Sequence, residues 1–556
     1  MMKGRLLLLP LALLLQRCLA SSSSQQQPNF VILLMDDLDW TLGGTTASTL
    51  HRTRKLIGAQ GKTFSNWFVQ TPVCCCSRAE LLTGKFLHNL RLPSTTAKGG
   101  CMHVSVLPKK THPFYQRDYF AQFFHQLNYT VGIFGKHLNT QNPTDFIPNG
   151  VDEMLLNGGG AYLDPTFTVG TRGKGAPKAV HYNNCTESTG MPCYSTAIIG
   201  NASLAWMTRH VQSNDDKPFL SLISVKAPHI QDSPGYPLSI PAPWYANTTI
   251  PEQMAPRTPN YNLSAQDHHW LVRSQRPLTK VEAQKVDDLY VSRLKTMISV
   301  DDLVQDLFQR LEQLQVLDNT YILFTSDNGF RLGQFQMPQC KLHPYENDIR
   351  VPMMIRGPGV PIGTQSSLLS THVNIMPTLL GLATSKFDSQ SIVPPTMDGT
   401  NLAYQILHDT TDNDEAEETS STTANNNPSS LLIEYNSLGP VVRYNHLIDT
   451  YNHSFLALRI LQPENTHNNN QQLHNYKYVE FRDSRKDWNC TQPPLEREFY
   501  DLDRDPFEIH NLVDEISPPF LQALQDKMKR LFHCKGGSCR AEQMTALPPS
   551  VLLRWD

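Results

Sequence analysis

The residues able to do chemistry in this chain gather in short clusters. The densest is Val73-Cys74-Cys75-Cys76-Ser77-Arg78, with Thr83-Gly84 following after four more residues. Ser77 reads as a helix N-cap and Gly84 as a stop, which predicts a helix over 77–82 with Cys74 on the loop that feeds it. A helix N-terminus presents free N–H groups and partial positive charge, which suits an anionic ligand. Taken alone, three adjacent cysteines are equally well a buried or disulfide-bonded structural cluster. Four further clusters bear on that choice: Asp36-Asp37, Gly135-Lys136-His137, Lys226-Ala-Pro-His229 and Ser326-Asp327-Asn328-Gly329. Each has an ordinary reading, since Asp-Asn-Gly is a common turn and a Lys or His after a strand is commonly a solvated loop residue. Together, Asp36, Asp37, Asp327 and Asn328 offer the hard oxygen ligands that Ca²⁺ or Mg²⁺ takes. Arg78, Lys136 and His229 add positive or proton-donating groups. A divalent cation among cationic side chains is what transfer of a sulfuryl or phosphoryl group needs, because that chemistry is largely positioning and charge stabilisation.

These clusters share a position. Asn29–Met35 is a continuous apolar run, the pattern of a strand buried on both faces of a parallel sheet. Similar runs recur at 130–134, 219–225, 321–325 and 352–355. The first four end directly in, or just before, the four polar clusters. Ligand sites in open α/β sheets form at such carboxyl ends. Between the runs lie helical patterns, most clearly 281–317, where Leu303, Leu307, Leu311 and Leu314 repeat at three-to-four spacing. The expected fold is α/β, a large domain with a mostly parallel mixed sheet flanked by helices over 28–408. Residues 409–430 turn acidic and then Ser/Thr/Asn-rich, a low-complexity linker or loop. From 431 to 556, short strands at 431–435, 441–448, 455–461 and 476–481, a polar loop at 464–475 and a helix at 518–532 predict a small α+β subdomain with an antiparallel sheet.

Residues 1–20 read as a secretory signal: Lys3 and Arg5, an apolar Leu6–Leu15 core, and a small-residue site ending at Ala20. That core, and every later apolar run, is too short to span a bilayer. Seven Asn-X-Ser/Thr sequons agree with secretion, at Asn128, Asn184, Asn201, Asn247, Asn262, Asn452 and Asn489. Cys185/Cys193 and Cys534/Cys539 lie close together in polar loops and read as local disulfides. A net charge of −3 with no basic tract argues against nucleic acid as a partner.

The clusters resemble the signature of the sulfatase family, within the alkaline-phosphatase-like superfamily. The family's Cys-X-Pro-Ser-Arg with Thr-Gly after four residues stands here as Cys74-Cys75-Cys76-Ser77-Arg78 to Thr83-Gly84. The resemblance continues through Tyr345–Pro352, Asn374–Thr378, Met397-Asp-Gly399 and Tyr500–Pro506. Gly-Gln-Phe after the Asp-Asn-Gly, and Lys341 shortly before Tyr-Glu, are most similar to N-acetylglucosamine-6-sulfatases, with algal and plant-type arylsulfatases also similar. The resemblance implies that Cys74 is oxidised to formylglycine by a formylglycine-generating enzyme. It also implies one Ca²⁺ held by Asp36, Asp37, Asp327, Asn328 and converted Cys74. One hydroxyl of the hydrated aldehyde then attacks sulfur, and the second lets the ester collapse and expel sulfate, splitting the reaction into two easier steps. Arg78 would orient the hydrate, Lys136 would contact hydrate and sulfate, and His229 and Lys341 would bind sulfate. His229 would also serve as general acid for the leaving alcohol.

The chain departs from the pattern at Cys76, where relatives carry Pro or Ala, which bears on conversion of Cys74. His137 stands next to Lys136 where many sulfatases place a His two residues on, and Arg331 stands near a position where relatives place His, there to contact substrate or lie in solvent. The reading is a sulfatase acting on sulfated sugars, N-acetylglucosamine-6-sulfate of glycosaminoglycans among them, or on aryl sulfates, in the lysosome or outside the cell. The alternatives are a phospho- or phosphonate ester hydrolase on the same fold, or an unconverted, non-enzymatic sugar-binding protein.

Overall fold

The computed structural model describes residues 26–548 apart from 44–45, 91–113, 140–142, 187–189, 214–215, 232–236, 409–426, 438, 464–472 and 488–489. The expected signal segment, most of the low-complexity stretch and the Asn489 sequon lie outside the described residues.

Ten strands build the large sheet: β1 (Asn29–Asp36), β2 (Lys62–Phe64), β3 (Thr130–Lys136), β4 (Glu153–Asn157), β5 (Thr166–Thr171), β6 (Lys178–His181), β7 (Phe219–Pro228), β8 (Thr320–Ser326), β9 (Met353–Arg356) and β10 (Thr364–Ser366). Their spatial order is β10-β2-β9-β8-β1-β7-β3-β4-β5-β6. The five central strands, β8-β1-β7-β3-β4, are parallel. Antiparallel pairs flank them, so the apolar run at 352–355 becomes β9, antiparallel to both neighbours.

Strand β1 shows why its sequence is apolar at every position. Phe30, Ile32 and Leu34 enter one core layer, while Val31, Leu33 and Met35 enter another on the opposite face. The first layer packs under α1 (Cys74–Thr83), the second under α2 (Ser195–Gln212) and α3 (Lys280–Gln313), and α4 (Ile375–Ala383) joins the first. Helix α3 opens with a capping box, Thr279 accepting from the Glu282 amide and Glu282 reaching back to the Thr279 amide. It ends at Gln313, four residues before the periodicity suggests, because Gln315 turns left-handed at φ +59°.

Beyond it, β11 (Ser430–Tyr435), β12 (Ser454–Pro463), β13 (Leu473–Arg482) and β14 (Glu496–Asp501) form a separate antiparallel sheet in sequence order. One face carries Leu432, Leu458, Tyr478 and Phe499 against α5 (Pro518–His533), through Phe520, Leu524, Met528 and Leu531. The other face, with Leu431, Phe455 and Phe481, joins the core of the large sheet. Both faces are therefore buried, each such side chain contributing about 1.5–3 kcal/mol.

Two expectations change here. The polar stretch 464–475 is shorter as a loop, since β13 begins at Leu473, paired with Pro463. The expected strand 441–448 is a hairpin, Val441–Arg443 with His446–Asp449, turning at Tyr444 and Asn445, both at positive φ as a tight primed turn requires. The sulfurs of Cys185 and Cys193, and of Cys534 and Cys539, are bonded.

Candidate active site

Four of the five central strands deliver a polar residue at one end of the sheet. Asp36 is the last residue of β1 and Lys136 the last of β3; Asp327 follows β8, and His229 follows β7. Alternation along a strand would aim Asp36 and Asp37 in opposite directions. Asp37 instead adopts φ +71°, which turns both carboxylates into one site. Gly135 (φ +104°) precedes Lys136 where a Cβ would stand 1.8 Å from the Ser224 carbonyl oxygen, so only glycine lets β3 lie against β7 there.

Cys74 is itself the first residue of α1, three residues before the expected start. The Ser77 amide already bonds to the Val73 carbonyl, and the Ser77 hydroxyl has no partner among the described residues, so Ser77 is interior to the helix and caps nothing. Gly84 ends the helix in the left-handed region, its amide on Glu80 O.

Around Cys74 the side chains pair in a closed network. Lys136 Nζ lies 2.7 Å from both oxygens of Asp36. Lys341 Nζ donates to Asp37 Oδ1 and lies 3.1 Å from Cys74 Sγ. Cys74 Sγ is 3.5 Å from Asp36 Oδ1. Arg78 donates through Nε to Asp327 Oδ2 at 2.7 Å, and through Nη1 to the Lys136 carbonyl and Ser224 Oγ. Asp327 Oδ1 accepts from the Asp37 amide, and Asn328 Nδ2 donates to Asp37 Oδ1. His229 Nδ1 faces the Ile230 carbonyl at 2.6 Å and so carries the proton, leaving Nε2 toward Asp37 Oδ2, 3.6 Å away.

Three carboxylates thus meet three cations in a water-poor setting. Burial would raise the Asp36 carboxyl, but Lys136, His229, Arg78 and Lys341 hold it well below the ordinary range. Burial raises Asp327 against the pull of Arg78. Burial pushes the Cys74 thiol up to about 12, against Lys136 and Lys341, so the unmodified sulfur is protonated and a poor nucleophile. His229 falls to about 4, again chiefly through burial, opposed by Asp36 and Asp37.

The donor set fits a hard divalent cation. Ligand atoms of Asp36, Asp37, Cys74 and His229 lie within 4.8 Å of one another. Asp37 Oδ2 and Asn328 Oδ1 are buried and have no hydrogen-bond partner among the described residues, the state expected of oxygens that a cation would satisfy.

A second layer that no motif marked supports this one. Arg293, on the buried face of α3, donates to the Asp37 carbonyl. Its spacing of four from Leu289 and Met297 places an arginine on an apolar stripe, a signal the sequence did contain. His372 accepts from Trp67 Nε1 and bonds the Ser326 carbonyl through Nε2, bracing the end of β8. Two motif neighbours stand elsewhere. His137 is buried among aromatic rings, its Nε2 2.9 Å from Tyr119 Oη. Arg331 neither faces substrate nor lies in solvent: it is buried, bonded to Asp348 Oδ2 and Met337 Sδ, because the aromatic core around Tyr345 encloses it.

A cavity of about 460 Å³ is lined by Asp37, Cys74, His229 and Lys341, together with Phe330, Gln339 and, from the smaller sheet and its hairpin, Tyr435, Arg443 and Asp449. The C-terminal unit therefore walls the site. It is fastened there by Lys477, which bridges Glu346 and Glu508, and by His343 Nε2, which bonds the Ile448 carbonyl.

Comparison with known proteins agrees with this geometry. The model of the family described as Sulfatase matches residues 28–385. The chain is 31% identical over 550 residues to the N-acetylglucosamine-6-sulfatase of Capra hircus, covering 93% of this chain and 86% of the relative. It is 26% identical to the arylsulfatase of Volvox carteri, over 99% and 81%. Among solved structures, one in complex with its substrate D-glucosamine-2-N,6-O-disulfate matches with TM-score 0.62 at 20% identity, over 90% of this chain and 97% of the other. A phosphonate monoester hydrolase from Silicibacter pomeroyi shares the fold with TM-score 0.59 at 16% identity, over 92% and 96%. The family model spans well over half of the chain and the relatives nearly all of it: the protein belongs to the sulfatase family and is a sulfuric ester hydrolase.

Proposed function

We propose that this enzyme removes sulfate from sulfated saccharides of the N-acetylglucosamine-6-sulfate type, with Cys74 converted to formylglycine. In this reading Asp36, Asp37, Asp327, Asn328 and converted residue 74 hold Ca²⁺. The observation that carries it is the meeting of those oxygens with Cys74, Lys136, Lys341, Arg78 and His229 in one buried cluster. Formylglycine, when present, supplies a hydrated aldehyde with one hydroxyl to attack sulfur and another to release sulfate. Ca²⁺, when bound, supplies Lewis-acid charge to the attacking and sulfate oxygens.

The chain's own residues do the rest. Arg78 fixes Asp327 relative to α1 and orients residue 74. Lys136 and Lys341 hold ammonium groups on either side of Cys74, where negative sulfate oxygens would lie. With Nδ1 committed to a carbonyl, His229 presents Nε2 to the cavity and, when protonated there, passes the proton to the leaving alcohol. The name of the goat relative supports the sugar, and the Cys74 motif supports maturation by a formylglycine-generating enzyme. Passage through the secretory pathway, to the lysosome or the cell exterior, is supported by the two disulfides and by sequons whose Asn128, Asn184, Asn201 and Asn247 are exposed. Among the described residues no helix is long and apolar enough to cross a membrane.

Sulfate release from N-acetylglucosamine-6-sulfate, compared with aryl sulfate and aryl phosphate, tests this. Turnover of the sulfates, lost on chelation and restored by Ca²⁺, is expected; a strong phosphate preference, or indifference to the chelator, would contradict it.

A further inference from the structure

We propose that Gln339 and Arg443 form a leaving-group subsite that reads a second anionic group on the substrate, so that the preferred saccharide carries a negative charge besides the ester being cleaved. This rests on the sulfatase reading of the same cavity.

Two observations carry it. Gln339 is 1% exposed and lines the cavity, yet among the described residues neither its amide nitrogen nor its amide oxygen has a hydrogen-bond partner. An unmet buried amide group costs about 1–3 kcal/mol, a cost that a ligand bound in the cavity beside it would relieve. Gln339 stands two residues before Lys341, which touches Asp37 and Cys74. That short segment is held under backbone strain, with Leu342 at φ +91°, as residues that clamp ligands are.

Arg443 lines the same cavity from the hairpin of the smaller sheet. Among the described residues it makes no ion pair; its guanidinium donates only to the neighbouring Val442 carbonyl. The carboxylate sharing its wall, Asp449, is already engaged by Tyr435 Oη, Ser437 Oγ and the Thr450 amide. Lys136 and Lys341 are matched to Asp36 and Asp37, so Arg443 is a cation in excess of what one sulfate and its metal site require. A planar guanidinium suits a carboxylate or sulfate bidentately. Apolar Phe330, Pro440 and Val441 around it suit the C–H face of a sugar ring.

Equilibrium binding to full-length Cys74→Ala, which cannot turn over, separates this from the catalytic reading. The probes are glucosamine-6-sulfate, N-acetylglucosamine-6-sulfate, glucosamine-N,6-disulfate and a 6-sulfated disaccharide with a neighbouring uronate. At least one doubly anionic probe should bind roughly tenfold or more tightly than the singly sulfated ones, the worth of a charged hydrogen bond. Which one does so tells sulfate on the same ring from carboxylate on the next. Adding Arg443→Met should erase that difference, while Arg443→Lys keeps part of it. Adding Gln339→Leu should weaken every probe without lowering Tm, since it removes an unmet amide; a structural role would lower Tm. Equal affinity for all probes, or a preference that survives Arg443→Met, would overturn the proposal. Failure of the native enzyme to release sulfate would overturn the functional reading instead.

Discussion

His229 is held by its own neighbour's carbonyl, so its role depends on which nitrogen faces the ester. If it protonates the leaving alcohol, His229→Ala should lower kcat by about 10²–10⁴-fold for sugar sulfates, whose alcohols leave poorly. Aryl sulfates, whose phenols leave unaided, should lose far less; equal losses for both would remove the general-acid role. Arg78 predicts a different kind of defect. It is the buried partner of Asp327, so with chelator present Arg78→Met should destabilise the protein by about 3–5 kcal/mol in denaturant unfolding, and a variant as stable as the parent would contradict the pairing. Asp36, Asp37, Cys74, Arg78, Lys136, His229, Asp327, Asn328 and Lys341 were all legible because each sits in a short motif or at a strand end. Gln339 and Arg443 were not, since a lone glutamine and a lone arginine more than a hundred positions apart carry no joint pattern until the fold brings them to one cavity. Arg331 misled because a motif position names a neighbourhood, and here Asp348 and the aromatic core claim the side chain.

At the level of elements, the site exists because parallel strands end together and one glycine lets them close. Gly135→Ala would drive a methyl into the Ser224 carbonyl, at the backbone where Lys136 and Arg78 meet. It should lower Tm and cut sulfate release together; a variant with native stability and activity would show that β3 and β7 can shift apart without harm. Buried strands and the long helix α3 were readable from runs and periodicity. The start of α1 was not, because its N-cap, Val73, makes no side-chain bond and three cysteines give no capping signal. The Tyr444-Asn445 turn was likewise hidden inside what reads as one short strand, since a tyrosine at positive φ is rare.

Across the whole molecule, the C-terminal unit is joined to the catalytic sheet through a buried group of imidazoles, with His343, His269 and His453 packed ring to ring. Burial lowers all three, His453 to about 3. The folded state thus excludes protons that the unfolded chain takes up near 6.5, so their stability contribution is complete above that value and is lost as pH falls below it. Burial raises Asp449 to about 7, with the opposite sign, its contribution lost as pH rises through that value. His453→Phe removes one titrating ring. Whatever its constant cost, its stability relative to the parent should improve by about 2 kcal/mol between pH 7 and pH 5, read from unfolding curves at each pH. A difference that does not vary with pH would mean that His453 takes up its proton equally in the folded and the unfolded chain. Composition indicated a second α+β unit, but not that it supplies a wall of the active site.

The reading of Cys74 as the reacting residue is tested most directly on the tryptic peptide Thr63–Arg78, taken from protein secreted by its native host and alkylated before mass analysis. An aldehyde at position 74, with Cys75 and Cys76 alkylated, is predicted, as the two remaining thiols are core side chains. Three alkylated cysteines in a preparation that releases sulfate would contradict it.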